Sequence, residues 1–71
     1  MDFSINRDLP QMKFSKGQEV YFEYENERKR GVIDILDFGG SLEHAYHSYD
    51  ILIAEENKLY KHIPEEDVFE I

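Results

Sequence analysis

Residues 49–68, with the sequence YDILIAEENKLYKHIPEEDV, indicate the fold of this 71-residue chain. In positions 49–53, large apolar or aromatic side chains alternate with other residues, which is the two-residue period of a strand that buries one face. Residues 55–57 form a polar break, in which Asn57 is the residue best able to adopt a positive φ. Residues 59–63 are then a returning strand, so the stretch predicts a hairpin.

Pro64 is predicted to end the returning strand. Proline has no N–H for a strand ladder, and its fixed φ suits the first position of a helical turn. Glu65, Glu66 and Asp67 follow in that turn, where exposed backbone N–H groups favour anionic side chains. Residues 68–71 then predict a short last strand.

Two more strands are predicted before this stretch. Residues 19–24 show the same alternation, with Val20 and Phe22 on the buried face. A polar turn at residues 25–28 separates them from a second strand at residues 29–38. The chain therefore contains five short strand signals separated by turn residues.

The second predicted strand contains a glycine and an ambiguous register. Gly31, near its start, is typical of a β-bulge or of a close approach by another backbone. Ile33 is expected to point inward. Its core partner is either Ile35 or Leu36, because a bulge would shift the alternation by one residue.

The strongest loop signal in the chain is the run Gly39, Gly40 and Ser41. The loop is predicted to extend to Ala45 or Tyr46. This is longer than the ~2–5 residues that usually join a hairpin. Long loops on a small barrel are candidate binding elements.

Residues 1–16 show neither a clear strand period nor a helix period. They predict an N-terminal arm that is partly ordered where Met12 or Phe14 lies on the domain. Residues 17–71 are predicted to form a mainly β domain, a small five-stranded barrel with a short 3-10 turn before the last strand. Its inward-facing set contains Tyr49 and the predicted core residues Val20, Phe22, Ile33, Ile51, Ile53, Leu59, Ile63 and Val68.

Four segments follow one another in this chain: GQEVYFEY, RGVIDILD, YDILI and LYKHIPEEDV. Their order resembles the SH3-like barrels, especially those of the Tudor and KOW type, and the resemblance covers residues 17–71. In those families a Gly-led first strand is followed by a Gly-led second strand, and a Pro-x-Asp-type turn precedes the last strand. The chain also resembles small bacterial or phage-borne proteins of this shape.

The resemblance implies two kinds of binding site. Tudor-like domains that read methylated lysine or arginine use a cage of about four aromatic side chains. The corresponding positions here are Tyr24, Arg30, Ile53 and Glu56, and only Tyr24 is aromatic, so a methyl-reading site is not predicted. KOW-type domains bind RNA or transcription proteins through basic and aromatic loop residues. A nucleic-acid or transcription-associated domain is therefore one alternative function.

The charge balance is strongly acidic. Sixteen acidic and eight basic residues give a net charge of −8. Because contacts to phosphates dominate nucleic-acid affinity, this balance argues against nucleic acid as the principal partner. The only basic run in the sequence, Arg28-Lys29-Arg30, has acidic neighbours and is predicted to be a solvated turn. An acidic mimic of DNA, which would inhibit a DNA-binding protein, is a further alternative.

Composition and motifs point away from catalysis. The chain has no cysteine, which excludes disulfides and a thiolate zinc site and fits a reducing, cytoplasmic location. His44 and His47 have a spacing that suits a helix rather than this loop, so no metal site is predicted. No catalytic or phosphate-binding motif is present, and we expect neither an enzyme nor a cofactor. With no signal peptide and no apolar run of ~18 residues, we expect no membrane association.

We therefore predict a non-enzymatic protein-interaction module, a monomer or weak dimer, that binds a protein partner of complementary positive charge. Exposed tyrosines add apolar contact area and keep a hydroxyl for the partner. The predicted partner-binding residues are Phe38, Leu42, Tyr46 and Tyr60, with Tyr60 pointing outward. The alternative for Leu42 and Tyr46 is that they fold back and close the open end of the barrel.

Overall fold

The computed structural model describes residues 11–39 and 46–71 of the chain. The strands are β1 (Glu19–Tyr24), β2 (Glu27–Asp37), β3 (Ser48–Ile53), β4 (Lys58–Pro64) and β5 (Val68–Glu70). Two short 3-10 turns, Ala54–Glu56 and Glu65–Asp67, precede β4 and β5. The expectations for residues 1–10, and for Leu42 and His44, fall outside the described residues.

The strands form one antiparallel sheet in the order β4-β3-β2-β1-β5. The mainly β fold, its five strands and the 3-10 turn before the last strand are confirmed. The sheet is not closed into a barrel, because its outer strands β4 and β5 do not pair with each other within the described residues. β5 is only three residues long and pairs with β1. The expected barrel is therefore an open sheet with its core on one face.

A two-residue turn joins β1 and β2. Tyr24 pairs with Glu27, and the two residues between them have positive φ, 51° at Glu25 and 67° at Asn26. Positive φ at both central positions is the signature of a type I′ turn, whose twist matches that of the flanking strands. The turn predicted at residues 25–28 is thus shorter than expected, and the basic run lies in β2 rather than in a turn.

Two β-bulges lie in the strands that flank Asp50 of β3, one in β2 and one in β4. The register between β2 and β3 shifts between Ile33 and Ile35. The register between β3 and β4 shifts between Tyr49 and Ile51. A bulge adds one residue to one strand and so changes which residues face the core beyond it.

The first bulge determines the environment of the later residues of β2. Ile35 lies opposite Asp50, and Leu36 lies opposite Tyr49. Both Ile35 and Leu36 are exposed. The prediction that one of them completes the core beside Ile33 is wrong, because Ile35 falls on the outer face and Leu36 lies near the end of the strand.

The second bulge places both Tyr60 and Ile63 of β4 on the core face. Tyr60 lies opposite Ile51 and Ile63 opposite Tyr49, and His62 takes a positive φ of 57° just before Ile63. Tyr60 is only 5% exposed. The prediction that Tyr60 points outward is therefore wrong, because a simple alternation along β4 does not include the bulge.

The core contains Phe14, Val20, Phe22, Ile33, Tyr49, Ile51, Ile53, Tyr60, Ile63 and Val68. Every predicted core residue except Leu59 is among them. Leu59 is only partly buried, because it lies opposite Leu52 on the outer face. Phe14, which precedes the sheet in sequence, contacts Tyr49 edge to face with 5.7 Å between the ring centroids. The segment before β1 thus supplies one side chain of the core.

Gly31 allows a close approach between β2 and β3. A Cβ at this position would lie 2.7 Å from the carbonyl oxygen of Leu52 and 2.8 Å from Cγ2 of Ile51. The predicted close approach is confirmed, whereas the bulge in β2 lies farther along the strand, after Ile33. A side chain at position 31 would push β3 away from β2.

Candidate interaction surface

His47 joins the residues on either side of positions 40–45, where a loop is predicted. Its Nδ1 accepts the backbone N–H of Gly39 at 2.8 Å, and its ring packs on Phe38 with 4.5 Å between centroids. A Cβ on Gly39 would overlap the backbone of Tyr46. Because His47 is itself buried, the residues that flank the loop are fixed to the end of the sheet.

Three exposed apolar side chains lie shortly before and after residues 40–45. Leu36 is 42% exposed, Phe38 is 48% exposed and Tyr46 is 60% exposed. Leu36 and Phe38 are two residues apart along the chain at the end of β2, and Tyr46 adjoins Gly39 across the base of the loop. We refer to Leu36, Phe38 and Tyr46 as the loop-base patch.

The structure brings together only part of the predicted partner-binding set. Phe38 and Tyr46 lie at the same end of the sheet, and Leu42 is outside the described residues. Leu36 and Ile63 both lie opposite Tyr49. Tyr60 is buried and lies three residues before Ile63 in β4, which is about 10 Å along an extended strand. Leu36 was not predicted to belong to this surface, although its ambiguous position in the alternation was a signal that it need not be in the core.

A polar cluster lies beside the loop-base patch. Asp37 Oδ2 accepts the hydroxyl of Ser48 at 3.2 Å and lies 3.5 Å from Nδ1 of His62. The buried Asp50 accepts the backbone N–H of His62 at 3.0 Å. In a nucleophilic triad the serine hydroxyl would bond to the histidine. Here it donates to Asp37, so His62 is not placed to take its proton.

Within residues 11–39 and 46–71, no group of three histidine or acidic side chains is arranged to hold a metal ion. The same residues include no helix that is long and apolar enough to cross a membrane.

The two arginines of the basic run are paired with carboxylates. Arg28 Nε lies 3.0 Å from Glu23 Oε2, and Arg30 Nε lies 2.9 Å from Glu19 Oε2. The hydrogen bond between Arg30 and Glu19, followed by their mutual attraction, raises the pKa of the arginine and lowers that of the glutamate. The guanidinium of Arg28 also lies over the ring of Phe69, 4.7 Å from its centroid. Each of the two arginines thus has a carboxylate partner within the chain itself.

The lysine of the basic run packs against Tyr60. Lys29 Nζ lies 5.5 Å from the centroid of the Tyr60 ring, and Lys58 Nζ lies 4.7 Å from it. The hydroxyl of Tyr60 donates to Glu56; this hydrogen bond, together with burial, raises the pKa of Tyr60. Tyr24 meets Tyr60 edge to face at 4.8 Å. The cations that face this aromatic pair thus come from the chain itself.

The outer face of the sheet contains an open groove of about 450 Å³. Its floor includes Val32 and Leu52, which pair across β2 and β3 and are 39% and 36% exposed. Glu19, Arg30 and Glu55 line its sides. Sequence reasoning did not single out this groove, although the alternation with Ile51 and Ile53 does place Leu52 on the outer face.

No protein-family model matches the chain, and neither a curated protein nor a solved structure matches it.

Proposed function

We propose that this protein is a non-enzymatic interaction module that binds a protein partner through the loop-base patch. The observation that carries the proposal is the exposure of Leu36, Phe38 and Tyr46 around a buried histidine. Interfaces are enriched in aromatic side chains, and a few such anchors supply most of the binding energy. Because His47 fixes the backbone beside the patch, these side chains are presented with little loss of backbone freedom on binding.

The partner is a protein with a positively charged surface around an apolar contact. The chain carries a net charge of −8, and Asp37 is the residue between Leu36 and Phe38 in the sequence. Opposite charges accelerate encounter and select among partners. The apolar patch would then provide most of the affinity, and the acidic surface would provide steering.

The proposal extends to the fold family: an open-sheet relative of the SH3-like domains of the Tudor or KOW type. Two features support it: the last strand lies beside the first, and a 3-10 turn precedes that last strand. A small bacterial or phage-borne protein is the corresponding proposal for its origin. The pairing of the basic run with acidic side chains disfavours the nucleic-acid role that KOW-type domains have.

A second candidate function is an acidic mimic of DNA. One observation favours it: the exposed Glu25, Glu55, Glu66 and Glu70 take part in no ion pair within the described residues. Unpaired carboxylates on a small domain can stand where phosphates would lie in a DNA-binding protein. In that case, partner binding would weaken steeply with salt and would not depend on the loop-base patch.

The experiment compares Tyr46→Ala and Phe38→Ala with Ile71→Ala, which truncates an exposed aliphatic residue just after the outer strand β5. A partner is first recovered from a lysate on the tagged parent chain and eluted with salt, and its purified form is then titrated against each variant. We expect at least tenfold weaker binding for both patch variants, unchanged melting temperatures, and parental binding for Ile71→Ala.

Two results would contradict the proposal. Parental affinity in both patch variants would remove the patch as the binding site. A lower melting temperature of Tyr46→Ala without the partner would instead show that Tyr46 closes the end of the sheet. Affinity that falls with salt to the same extent in all three variants would favour the acidic mimic.

A further inference from the structure

Residues 12–16 contact the core without joining the sheet. Phe14 is 8% exposed and packs edge to face on Tyr49, and Met12 packs against the same core. No residue before Glu19 belongs to a strand in the described part of the chain. This segment is therefore attached by a side chain and a few hydrogen bonds rather than by a strand ladder.

The hydrogen bonds converge on one carboxylate and one hydroxyl. Glu65 Oε2 accepts the backbone N–H of Lys13 at 2.9 Å and the hydroxyl of Tyr49 at 2.6 Å. The hydroxyl oxygen of Tyr49 in turn accepts the backbone N–H of Phe14 at 3.2 Å. Two consecutive backbone N–H groups are thus bound by side chains of β3 and of the turn before β5. We refer to the cavity that receives the ring between these groups as the Phe14 slot.

The segment ends in a tight turn, in which the N–H of Gln18 donates to the carbonyl of Ser15 at 3.0 Å. Gly17 has a φ of +88° with open space where a side chain would lie. From this residue onward the chain is bound to β2, because Gly17 N–H donates to the carbonyl of Ile33 and Ile33 N–H donates to that of Gln18. Elements with few backbone hydrogen bonds to the rest of a protein open at a lower free energy than the whole fold. We therefore expect residues before Gly17 to detach at a lower free-energy cost than unfolding of the sheet.

Cations flank the aromatic residue in this segment. Lys13 precedes Phe14, and Lys16 follows it, with Lys16 Nζ lying 2.9 Å from the carbonyl oxygen and 4.0 Å from Oδ1 of Asp34. The carboxylates of Glu65 and Asp34 thus lie at the two ends of the segment. The same chemistry would be presented by any extended segment in which basic residues flank an aromatic one.

We infer that the Phe14 slot is an exchangeable binding site for an extended basic segment that carries an aromatic residue. In this structure the chain's own residues 12–16 occupy it, and a partner segment of the same chemistry displaces them. The slot recognises two consecutive backbone N–H groups and a ring, and Asp34 receives the positive charge that follows the ring. This is the charge that complements a net −8 protein.

The slot is also connected to the loop-base patch. The backbone N–H of Glu65 donates to the carbonyl oxygen of His47 at 3.0 Å, and the ring of His47 contacts Phe38. Glu65 therefore contacts His47, beside the patch, through its backbone and contacts the slot through its carboxylate. A partner that displaces the segment would reach both surfaces from the same end of the sheet.

The test uses full-length chains and a synthetic peptide, QMKFSKG, which copies residues 11–17 with blocked ends. In the Phe14→Ala chain the slot is vacated, so by calorimetry we expect the peptide to bind it at least tenfold more tightly than it binds the parent. A control peptide with alanine in place of phenylalanine should bind at least tenfold more weakly. Tyr46→Ala, added to the Phe14→Ala chain, should leave peptide affinity unchanged, which separates the slot from the loop-base patch.

Equal affinity for the two peptides, equal affinity for the parent and Phe14→Ala chains, or no binding to a folded Phe14→Ala chain would overturn the inference. If that variant does not fold, hydrogen exchange on the parent decides. We expect the Lys13 and Phe14 amides to exchange faster than the Ile33 amide, and Glu65→Ala to accelerate them at least tenfold further without changing Ile33. Exchange of all three amides at one rate would refute a detachable segment.

Discussion

The carboxylate of Asp50 accepts the backbone N–H of His62, with 3.0 Å between Oδ1 and the nitrogen. His62 has a positive φ at the bulge in β4, and a bulge leaves a residue without a ladder partner. Asp50 supplies that partner from the neighbouring strand while being buried itself. The contact therefore supports the register in which Tyr60 faces the core.

Replacing Asp50 with alanine should leave the N–H of His62 without a partner. An unsatisfied backbone donor in a partly buried site costs about 1–3 kcal/mol, and we expect a loss of unfolding free energy of that order in a denaturant titration. Asp50→Asn is the matched control, because its side chain has the same length and keeps an acceptor oxygen. This variant should lose less unfolding free energy. Identical unfolding midpoints for Asp50→Ala and the parent would show that the contact does not hold the bulge.

Ile51 and Leu52 provide a matched pair for the two faces of β3. Ile51 is fully buried, whereas Leu52 is exposed on the outer face. Truncating a buried isoleucine to alanine costs ~2–5 kcal/mol, and we expect that loss for Ile51→Ala. Leu52→Ala should change the stability by less than ~1 kcal/mol. Chemical unfolding measures both, and comparable losses for the two variants would mean that the faces have been assigned wrongly.

Alkaline pH should weaken the fold through Tyr49. Burial, followed by the hydrogen bond to Glu65, raises the pKa of Tyr49 to about 12, compared with ~10 in an unfolded chain. Folding thus favours the protonated form of Tyr49. Its contribution to the free energy of unfolding is complete below pH ~10 and is lost as the pH rises towards ~12.

Tyr49→Phe tests this pH dependence. Phenylalanine cannot ionise, so we expect the free energy of unfolding of this variant to fall less steeply than that of the parent between pH ~10 and ~12. Parallel curves for the parent and Tyr49→Phe would contradict the prediction.

The turn between β1 and β2 can be improved. Glu25 has a φ of 51°, and the left-handed region disfavours side chains other than glycine, asparagine and aspartate. Glu25→Asn should raise the stability by about 0.5–1 kcal/mol, within the range of turn and cap optimisations. Glu55→Asn makes the same change in charge at an exposed residue of a 3-10 turn and should give no such gain. A thermal melt of each variant checks this difference.

Nucleic acid should bind poorly. The cations of the basic run are already paired with Glu19, Glu23 and Glu27, and we expect dissociation constants weaker than ~10⁻⁴ M for duplex DNA and RNA at ~150 mM salt. Micromolar binding in a fluorescence titration would overturn this expectation. Replacing all three basic residues with alanine would then show whether the run or another surface is responsible.

Local signals in the sequence were sufficient for most of the fold. The predicted bounds of β1 agree with the structure, and Asn57 takes the positive φ expected of it, 53°. Pro64 is followed by the predicted 3-10 turn. These features depend on alternation and on turn residues within a few positions, which a sequence displays directly.

The two bulges could not be predicted from the same signals. A bulge usually has glycine or asparagine at its positive-φ residue, but here that residue is His62. Because β4 has neither glycine nor asparagine at this position, simple alternation placed Leu59 inward and Tyr60 outward. Pairing with β3 requires the reverse. The prediction of the binding surface was incomplete for the same reason. The exposure of Phe38 and Tyr46 depends on how His47 packs across the loop base, and spacing along the chain does not encode that packing.

The bulge in β4 also affects how neighbouring molecules can meet. β4 is an outer strand of the sheet, and a straight outer strand is a template for pairing with another chain. Here the positive φ at His62 interrupts that template, Pro64 offers no N–H, and the opposite outer strand β5 has only three residues. Both edges thus resist the edge-to-edge stacking that leads to fibrils, so concentrated solutions should not aggregate by this route.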